Sequence, residues 1–591
     1  MCGIIGYVGK KKAAPLLLEA LKKLEYRGYD SCGIACLSGQ HQTINIRKGA
    51  GTILEVSQAK QFNKLDGTIG IAHTRWATHG GVTDQNAHPF VSCDGKYALV
   101  HNGILENYVE LKNELIKKGH TFQSETDTEV LVHLIEEKMQ GKSRDELLPA
   151  IKELTEEAQG AYTFLLLLRD TKEIIAFRKD SPLIIGIGKN EFYASSDITS
   201  FLDKTKQAII LENHQLAVLN NTYQIYNVQT LEKIKPNTMT ITWDAEQASK
   251  AGFPHFMLKE IFEAEEVGKH ALEQHAEKLE SFLATIKKSK KAFLIGSGTS
   301  YHACYFASIC FAKIAGQNIS PILGSEFKTY QNLIDDKTVL IAVSQSGETA
   351  DVLEGIKLAK EKGAKVISLV NVMGSTIMRE SLQSLTLNAG PEIAVASTKA
   401  FIAQVLILVL LAYGLIGKFT EGKKTLRQIV AKMPETLQLS EKIKELAKTT
   451  LNKNDLYLIG RGASYPVAME GELKIKEISY IHADALAGGE LKHHTLALIE
   501  PGVPCIALVP SDDTKEDMIN NIMQIKARGG IIIGIASEEI PEFDYYLPIP
   551  PSLHEPILQI PILQLISYHL SVLRGNNPDK PRNLAKSVTV L

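Results

Sequence analysis

The chain has 591 residues, 44% hydrophobic and 22% charged, the balance of a globular protein and too much chain for one hydrophobic core, so three or four domains are expected. Its 65 basic and 67 acidic side chains leave a net charge of -2, which excludes bulk attraction to nucleic acid or an anionic membrane surface. The seven cysteines, Cys2, Cys32, Cys36, Cys93, Cys304, Cys310 and Cys505, are odd in number, scattered and without a CxxC pair, which argues against a disulfide framework or a structural zinc site.

The opening MCGIIGYVGKKK has an apolar run too short for a secretion leader, and its lysines follow that run instead of preceding it. A reducing, cytoplasmic compartment is expected. Residues 2–235 hold short strand-like runs, such as 68–72, 97–100 and 161–168, each bounded by Gly, Asp or Asn. Helical patterns at 14–24 and 128–139 interrupt them, which makes this region α+β. Residues 236–254 show weak periodicity and read as a linker. Beyond them the pattern becomes strand, glycine-rich loop, helix, repeated, as at 292–301 and 339–349. It predicts doubly wound α/β domains with parallel sheets.

Leu294-Ile-Gly-Ser-Gly-Thr-Ser-Tyr301 returns 164 residues later as Leu458-Ile-Gly-Arg-Gly-Ala-Ser-Tyr465. That offset is domain-sized, so two copies of one fold are expected, at 255–425 and 426–580, followed by a tail at 581–591. The copies differ. Thr299 becomes Ala463, and Ser344-Gln-Ser-Gly-Glu-Thr349 has only Val509-Pro-Ser-Asp-Asp-Thr-Lys515 as its counterpart. The first copy is expected to carry most ligand contacts. Residues 400–417 approach membrane-spanning length, but Gln404 and Tyr413 interrupt them and a polar loop precedes them. A buried core helix is the better reading.

Cys2 follows the initiator methionine. Removal of Met1 would give Cys2 a free α-amino group, with a reference pKa of about 7.7–8.0, able to take the thiol proton. One residue then supplies nucleophile and base. By itself a cysteine at position two is weak evidence. Further on come His73-Thr-Arg-Trp-Ala-Thr-His79, Asn86-Ala-His-Pro89 and His101-Asn-Gly103. Thioester formation passes through a tetrahedral oxyanion, which needs donors where the charge develops. Asn102 offers its side-chain amide and Gly103 its backbone N–H. The Arg75 guanidinium suits the α-carboxylate of glutamine, and Asp127 suits its α-ammonium. Asp127, in Ser124-Glu-Thr-Asp-Thr128, also reads as a cap for the helix that follows.

Taken in order, Cys2-Gly-Ile-Ile-Gly6, Leu24-Glu-Tyr-Arg-Gly-Tyr-Asp-Ser31, the three segments just named and Ser124-Glu-Thr-Asp127 resemble the class II glutamine amidotransferase domain. The resemblance implies an N-terminal nucleophile fold of αββα layers in which Cys2 attacks the glutamine amide. It implies Arg75, Thr78 and His79 around the substrate carboxylate, His88 lining the pocket, Gly103 and Asp127 at the amino group, and Asn102 with Gly103 as oxyanion hole. It also makes Trp76 the gate of a shielded ammonia passage; ordinary core packing is the other reading of that side chain.

In the second half, the loop at 344–349 lies between a buried strand and a helix. Such a loop offers backbone N–H groups and the positive end of a helix to an anion, and Ser344, Ser346 and Thr349 add hydroxyls. Thr299 and Ser300 occupy the matching loop of the preceding βα unit, and the two loops predict a phosphate site. A nucleotide P-loop is excluded because GxxxxGK[ST] is absent. Lys474 and Glu477 share a face if helical. The tail with Lys586 keeps alternating apolar residues near its end, so it is expected to be tucked into a site instead of fraying.

The paired βα units resemble SIS (sugar isomerase) domains. The segments at 344–349, 395–401, 473–480, 490–493 and 581–590 resemble the synthase half of the isomerizing glutamine:fructose-6-phosphate aminotransferases, and the likeness spans essentially the whole chain. It implies ring opening of D-fructose 6-phosphate with His493, a Schiff base on Lys586, and displacement by ammonia from L-glutamine. Glu477 then moves a proton between C1 and C2, with Lys474 assisting. Thr299, Ser300, Ser344, Gln345, Ser346, Thr349, Val395 and Ser397 hold the sugar phosphate. The product would be D-glucosamine 6-phosphate, at the entry to hexosamine biosynthesis. No metal or organic cofactor is expected. A homodimer is implied, in which a residue such as His493 can serve the neighbouring subunit's site. The chain departs from the family at His494-Thr495, usually Gly-Pro, and at Ser297, often cysteine in bacterial members; it also lacks the long insertion of eukaryotic forms. Two other readings compete: an SIS-type amino-sugar-phosphate deglycase or deaminase, against which Lys586 and the Cys2 set argue, and a sugar-phosphate-sensing regulator, whose usual helix-turn-helix is replaced by the glutaminase half.

Overall fold

The computed structural model describes residues 2–39, 42–77, 79–241, 243, 249–453 and 455–589. The chain divides into a unit of Met1–Ala248 with Ser587–Leu591, and a unit of Ser249–Lys586.

In the first unit, strand Gly3–Val8 is buried along its whole length and lies between Ile69–Arg75 and Phe192–Ser195 in an eight-stranded sheet, paired antiparallel to both. A seven-stranded sheet contains Tyr97–Leu105 and Gly160–Leu168, also antiparallel. Side chains alternate across a strand, and here both faces are covered. Ile4 and Val8 point into a core shared with Val100, Leu165 and Ile174 of the second sheet. Ile5 and Tyr7 point the other way, against Leu17 and Leu21 of helix Ala13–Leu24. On the far side, Val130, Leu131 and Leu134 of helix Asp127–Met139 cover Leu99 and Phe164. Three separate cores between four layers give the αββα arrangement. Double burial explains why Gly-Ile-Ile-Gly-Tyr-Val reads as a continuous apolar run.

The second unit holds two five-stranded parallel sheets. One runs in the order Ser320–Leu323, Lys291–Gly296, Thr338–Ser344, Lys365–Val370, Gln383–Thr386. The other repeats that order with His482–Ala487, Asp455–Gly460, Pro504–Val509, Ile531–Ala536 and Tyr545–Pro548. The repeated Leu-Ile-Gly segments end equivalent strands, as the sequence repeat predicts. One continuous core joins the sheets, and position 425/426 falls inside helix Phe419–Val430. The apolar run near 400 is helix Lys399–Leu415, buried through Gly414. Among the described residues, Glu555–Leu573 alone is long and apolar enough to cross a membrane, and 89% of its apolar window is buried inside the fold.

Candidate active sites

Strand register brings the predicted residues of the first unit together. Gly3 pairs with Thr74, and Ser31 with Arg75. Cys2 therefore leaves its strand beside Trp76, whose amide N–H donates to Cys2 Sγ at 3.2 Å. The Cys2 carbonyl accepts from Asn102 Nδ2 at 3.0 Å and from Arg27 Nε at 3.4 Å. Burial pushes the Cys2 thiol up, while the Trp76 amide and the Arg75 charge oppose that shift.

Asp127 is the first residue of its helix, whose cap position is Thr126. Its Oδ2 accepts the Leu105 N–H at 2.9 Å, so the carboxylate reaches across to the strand that carries Asn102 and Gly103 and does not act as a cap. Gly103 has φ +130°, and a Cβ there would lie 2.0 Å from the Ala161 carbonyl oxygen; only glycine fits. The Arg75 guanidinium donates to the carbonyls of His79, Gly80 and Gly81, the last two at 3.2 Å. The His79 ring meets Tyr108 edge-on at 5.3 Å. His88 stacks on His73 at 3.9 Å, and Thr128 Oγ1 sits 3.3 Å from His88 Nε2 and 2.9 Å from His101 Nδ1. Burial drives His73 down to about 3 and His88 well below its ordinary value, which favours the neutral rings. Trp76 is half-buried, edge-on to Tyr29 at 5.6 Å. Thr78 lies outside the described residues.

The Leu24-to-Ser31 motif gains a physical role. Tyr26 Oη and Arg27 Nη1 bind Asp197 Oδ2 at 2.5 and 2.8 Å, and Asp30 Oδ2 accepts the Ala77 N–H at 2.8 Å. The motif thus clamps the segment that carries Trp76. Sequence reading did not single out Asp30 or Asp197, because their partners are distant in the chain.

In the second unit the two predicted phosphate loops follow the carboxyl ends of adjacent strands where the sheet order reverses, the usual ligand crevice of such folds. Thr299 opens helix Thr299–Ala315, and Ser344 ends strand Thr338–Ser344. Ser344 Oγ accepts the Gly347 N–H at 2.9 Å and lies 3.4 Å from Thr349 Oγ1. Ser346 Oγ accepts the Glu348 N–H at 3.2 Å. The one acid of this loop is engaged elsewhere: Glu348 Oε1 accepts the Thr376 N–H at 2.8 Å. The carbonyl of Gln345 accepts the Asn371 N–H at 3.2 Å. Hydroxyls and a helix N-terminus make the loop suited to an anion.

The hydroxyls of Thr299 and Ser300, on the matching loop, meet protein partners in this structure. Thr299 Oγ1 donates to Glu470 Oε1 at 3.0 Å, and Gln404 Nε2 donates to Ser300 Oγ at 2.9 Å. For Thr299 the cause is a buried carboxylate that requires donors. Glu470 Oε2 also binds His302 Nδ1 at 2.8 Å, and Lys474 Nζ is 3.5 Å from Oε1. Lys474 Nζ in turn donates to Glu477 Oε2 at 2.5 Å. Burial pushes Lys474 down, but Glu477 and Glu470 together hold it above its ordinary value. A polar chain thus runs Thr299, Glu470, Lys474, Glu477 across both copies of the fold.

The tail is held in place. Lys586 Nζ donates to Glu392 Oε2 at 2.5 Å and to the Ala394 carbonyl at 2.8 Å. Ser397 Oγ donates to the same Glu392 oxygen at 2.7 Å, and the Thr398 and Ala400 N–H groups donate to Oε1 at 2.9 and 3.0 Å. Burial alone would raise Glu392; Lys586 and these donors bring it to about 2. Behind it, burial and the Glu392 charge push Glu260 up to about 8. The Val395 N–H donates to the Asp579 carbonyl at 3.1 Å, and the Asp579 carboxylate accepts from the Phe256 and Met257 N–H groups. His493 is exposed at the end of the turn Gly488–His493. Among the described residues, no hydrogen bond or ion pair joins it to Lys474, Glu477 or Lys586. Glu260, Glu392 and Glu470 were missed as site residues. The one sequence signal for them is an acid set among apolar neighbours.

Residues 32–253 match the glutamine amidotransferase domain model, and residues 285–413 and 451–574 match the SIS domain model. The chain is 45% identical over the full length of both chains to a glutamine–fructose-6-phosphate aminotransferase (isomerizing) of Thermococcus kodakarensis, and 44% identical, again over both full lengths, to the protein of that name from Pyrococcus horikoshii. Among solved structures, the C-terminal domain of glucosamine-fructose-6-phosphate aminotransferase from Francisella tularensis matches with a TM-score of 0.53 at 34% identity. That match covers 56% of this chain and all of the other.

Proposed function

The chain belongs to the isomerizing glutamine–fructose-6-phosphate aminotransferases, and on that premise we propose how its residues divide the reaction. It transfers the amide nitrogen of L-glutamine to D-fructose 6-phosphate and isomerises the product to D-glucosamine 6-phosphate, releasing L-glutamate.

In the first unit, Cys2 Sγ attacks the glutamine amide once Met1 is removed and the α-amino group can take the thiol proton. Asn102 and the Gly103 N–H receive the oxyanion, Arg75 with Thr78 and His79 the substrate carboxylate, and Asp127 its ammonium. Trp76, whose amide touches Cys2 Sγ, gates the departing ammonia, which must leave unprotonated to remain nucleophilic.

In the second unit, Ser344, Gln345, Ser346 and Thr349 hold the phosphate. The Lys586 amine condenses with the C2 ketone and releases water; ammonia then displaces the lysine and leaves an imine at C2. Glu477 removes a proton from C1 and returns one to C2, which converts the ketose skeleton to the aldose, and Lys474 holds that carboxylate. His493, exposed in the single chain, opens the sugar ring in the site of a second copy, so the working form is a homodimer. The observation that carries this division is the buried Lys586–Glu392 pair, which presents an amine where simple isomerisation needs none. The test uses glutamine labelled with nitrogen-15 in its amide, plus fructose 6-phosphate. Equal amounts of glutamate and labelled hexosamine phosphate are expected; glutamate without labelled hexosamine would leave only the glutaminase.

A further inference from the structure

A cluster in the first unit takes no part in this chemistry. Cys93 lies in the turn between strands Phe90–Val91 and Tyr97–Leu105, His120 follows helix Tyr108–Lys117, and His133 and Glu136 stand three residues apart on helix Asp127–Met139. Cys93 Sγ lies 3.6 Å from His133 Nδ1 and 3.9 Å from His120 Nδ1. Glu136 Oε2 lies 3.0 Å from His133 Nδ1 and 3.2 Å from His120 Nδ1. All four donor atoms fall within 4.8 Å of one another. Zinc binds sulfur at about 2.3 Å and nitrogen or oxygen at about 2.0–2.2 Å, so the edges of its tetrahedron are roughly 3.3–3.6 Å. The cluster already has edges of nearly that length.

Three further features suit a metal. Both imidazoles turn Nδ1 inward, and His120 Nε2 is hydrogen-bonded to Glu137 Oε2 at 3.2 Å, while Glu129 Oε1 lies 3.8 Å from His133 Nε2 without a hydrogen bond. A carboxylate hydrogen-bonded behind an imidazole, as at His120, fixes the tautomer that presents the inner lone pair. Glu136 is aimed by the backbone, its Oε2 accepting the Cys93 N–H at 2.9 Å and its Oε1 the Asp94 N–H at 2.8 Å. Cys93 is exposed and opens on a surface cavity of about 580 Å³ that also borders His120 and Glu136, which gives an entry path.

We propose that Cys93, His120, His133 and Glu136 form a structural Zn²⁺ site. One thiolate, two neutral imidazoles and one carboxylate are a zinc donor set, and four protein ligands close the coordination sphere. Binding releases the Cys93 thiol proton to solvent, and the two anionic ligands neutralise the ion. The site pins a turn, a loop and a helix. That helix carries Asp127 at its start, about 9 Å from His133 along its axis, and the strand after Cys93 carries Asn102 and Gly103. The metal thus braces the glutaminase centre from behind without touching substrate.

The test is Co²⁺ substitution in the full chain, with Cys2→Ala as background so that the other reactive thiol cannot contribute. A single equivalent of Co²⁺ is expected, with the visible bands of a tetrahedral ion and a thiolate charge-transfer band, both lost in Cys2→Ala/Cys93→Ser. Zn²⁺ is expected to raise the melting temperature of the wild type and of Cys2→Ala but not of Cys93→Ser, which keeps its fold because the residue is exposed. Absence of stoichiometric metal, or a cobalt spectrum unchanged by Cys93→Ser, would overturn the assignment and leave the cluster as a hydrogen-bonded network of His133 with Glu136 and His120 with Glu137.

Discussion

Lys586 Nζ lies 2.5 Å from Glu392 Oε2, and neither side chain is more than 5% exposed. Removing one partner of such a pair leaves a buried charge and costs about 3–5 kcal/mol, whereas removing both costs far less. Glu392→Gln is expected to destabilise the chain, because the buried Lys586 charge loses its countercharge. Adding Lys586→Met is expected to recover most of that loss in a denaturation cycle while hexosamine synthesis stays absent. Strictly additive costs would contradict the pairing.

Cys2→Ala tests the division of labour. Glutamate release is expected to fall by at least about 10⁴-fold, the scale on which removal of a covalent nucleophile acts. Binding of fructose 6-phosphate, measured by calorimetry, is expected to be unchanged. A parallel loss of sugar binding would argue against two separable sites.

The neighbours Asn102 and Gly103 are expected to fail differently. Asn102→Ala removes one oxyanion donor and is expected to lower kcat for glutamine hydrolysis about 10²–10³-fold, with a small effect on melting. Gly103→Ala places a Cβ 2.0 Å from the Ala161 carbonyl at φ +130°, so its main effect is expected on stability, read as a lower melting temperature.

Glu260 gives a pH signature. Its pKa rises on folding from the ordinary 4.5 to about 8, so the folded state holds a proton that the unfolded state has lost between those values. Stability from this residue is therefore full below about pH 4.5 and declines as pH rises through about 8. Glu392 has the opposite sign: its pKa falls to about 2, so its contribution is present above about 4.5 and is lost toward acid. Glu260→Gln keeps the acceptor for the Ile393 and Ala394 N–H groups and is expected to flatten the decline in melting temperature between about pH 5 and about pH 8. An unchanged slope would place the titration on another group.

Much of the fold was legible because its signals are local. Helices Ala13–Leu24 and Asp127–Met139 begin within one residue of the predicted starts, and the Leu-Ile-Gly repeat marks equivalent strands of two sheets with one strand order. Strand Ile69–Arg75 runs past the predicted end at residue 72 through His73, Thr74 and Arg75. Pairing on both sides buries those polar residues, and propensity does not show that. Thr299 and Ser300 were read as ligand contacts from loop position. Their inward partners are Glu470, 171 positions from Thr299, and Gln404, 104 positions from Ser300.

The sequence by itself determined which functional groups are present and in what order: a cysteine at position two, a glycine at 103, a hydroxyl-rich loop at 344–349 and a lysine at 586. Spacing along the chain also argued against zinc, since the cysteines form no CxxC pair. Only the tertiary structure decided who meets whom. It gathers Cys93, His120, His133 and Glu136 from a turn, a loop and one helix face, and it sets Lys586 against Glu392 across 194 residues. The physical reason is that hydrogen bonds and coordination act over about 2–4 Å in space, and distance along the chain does not report that separation.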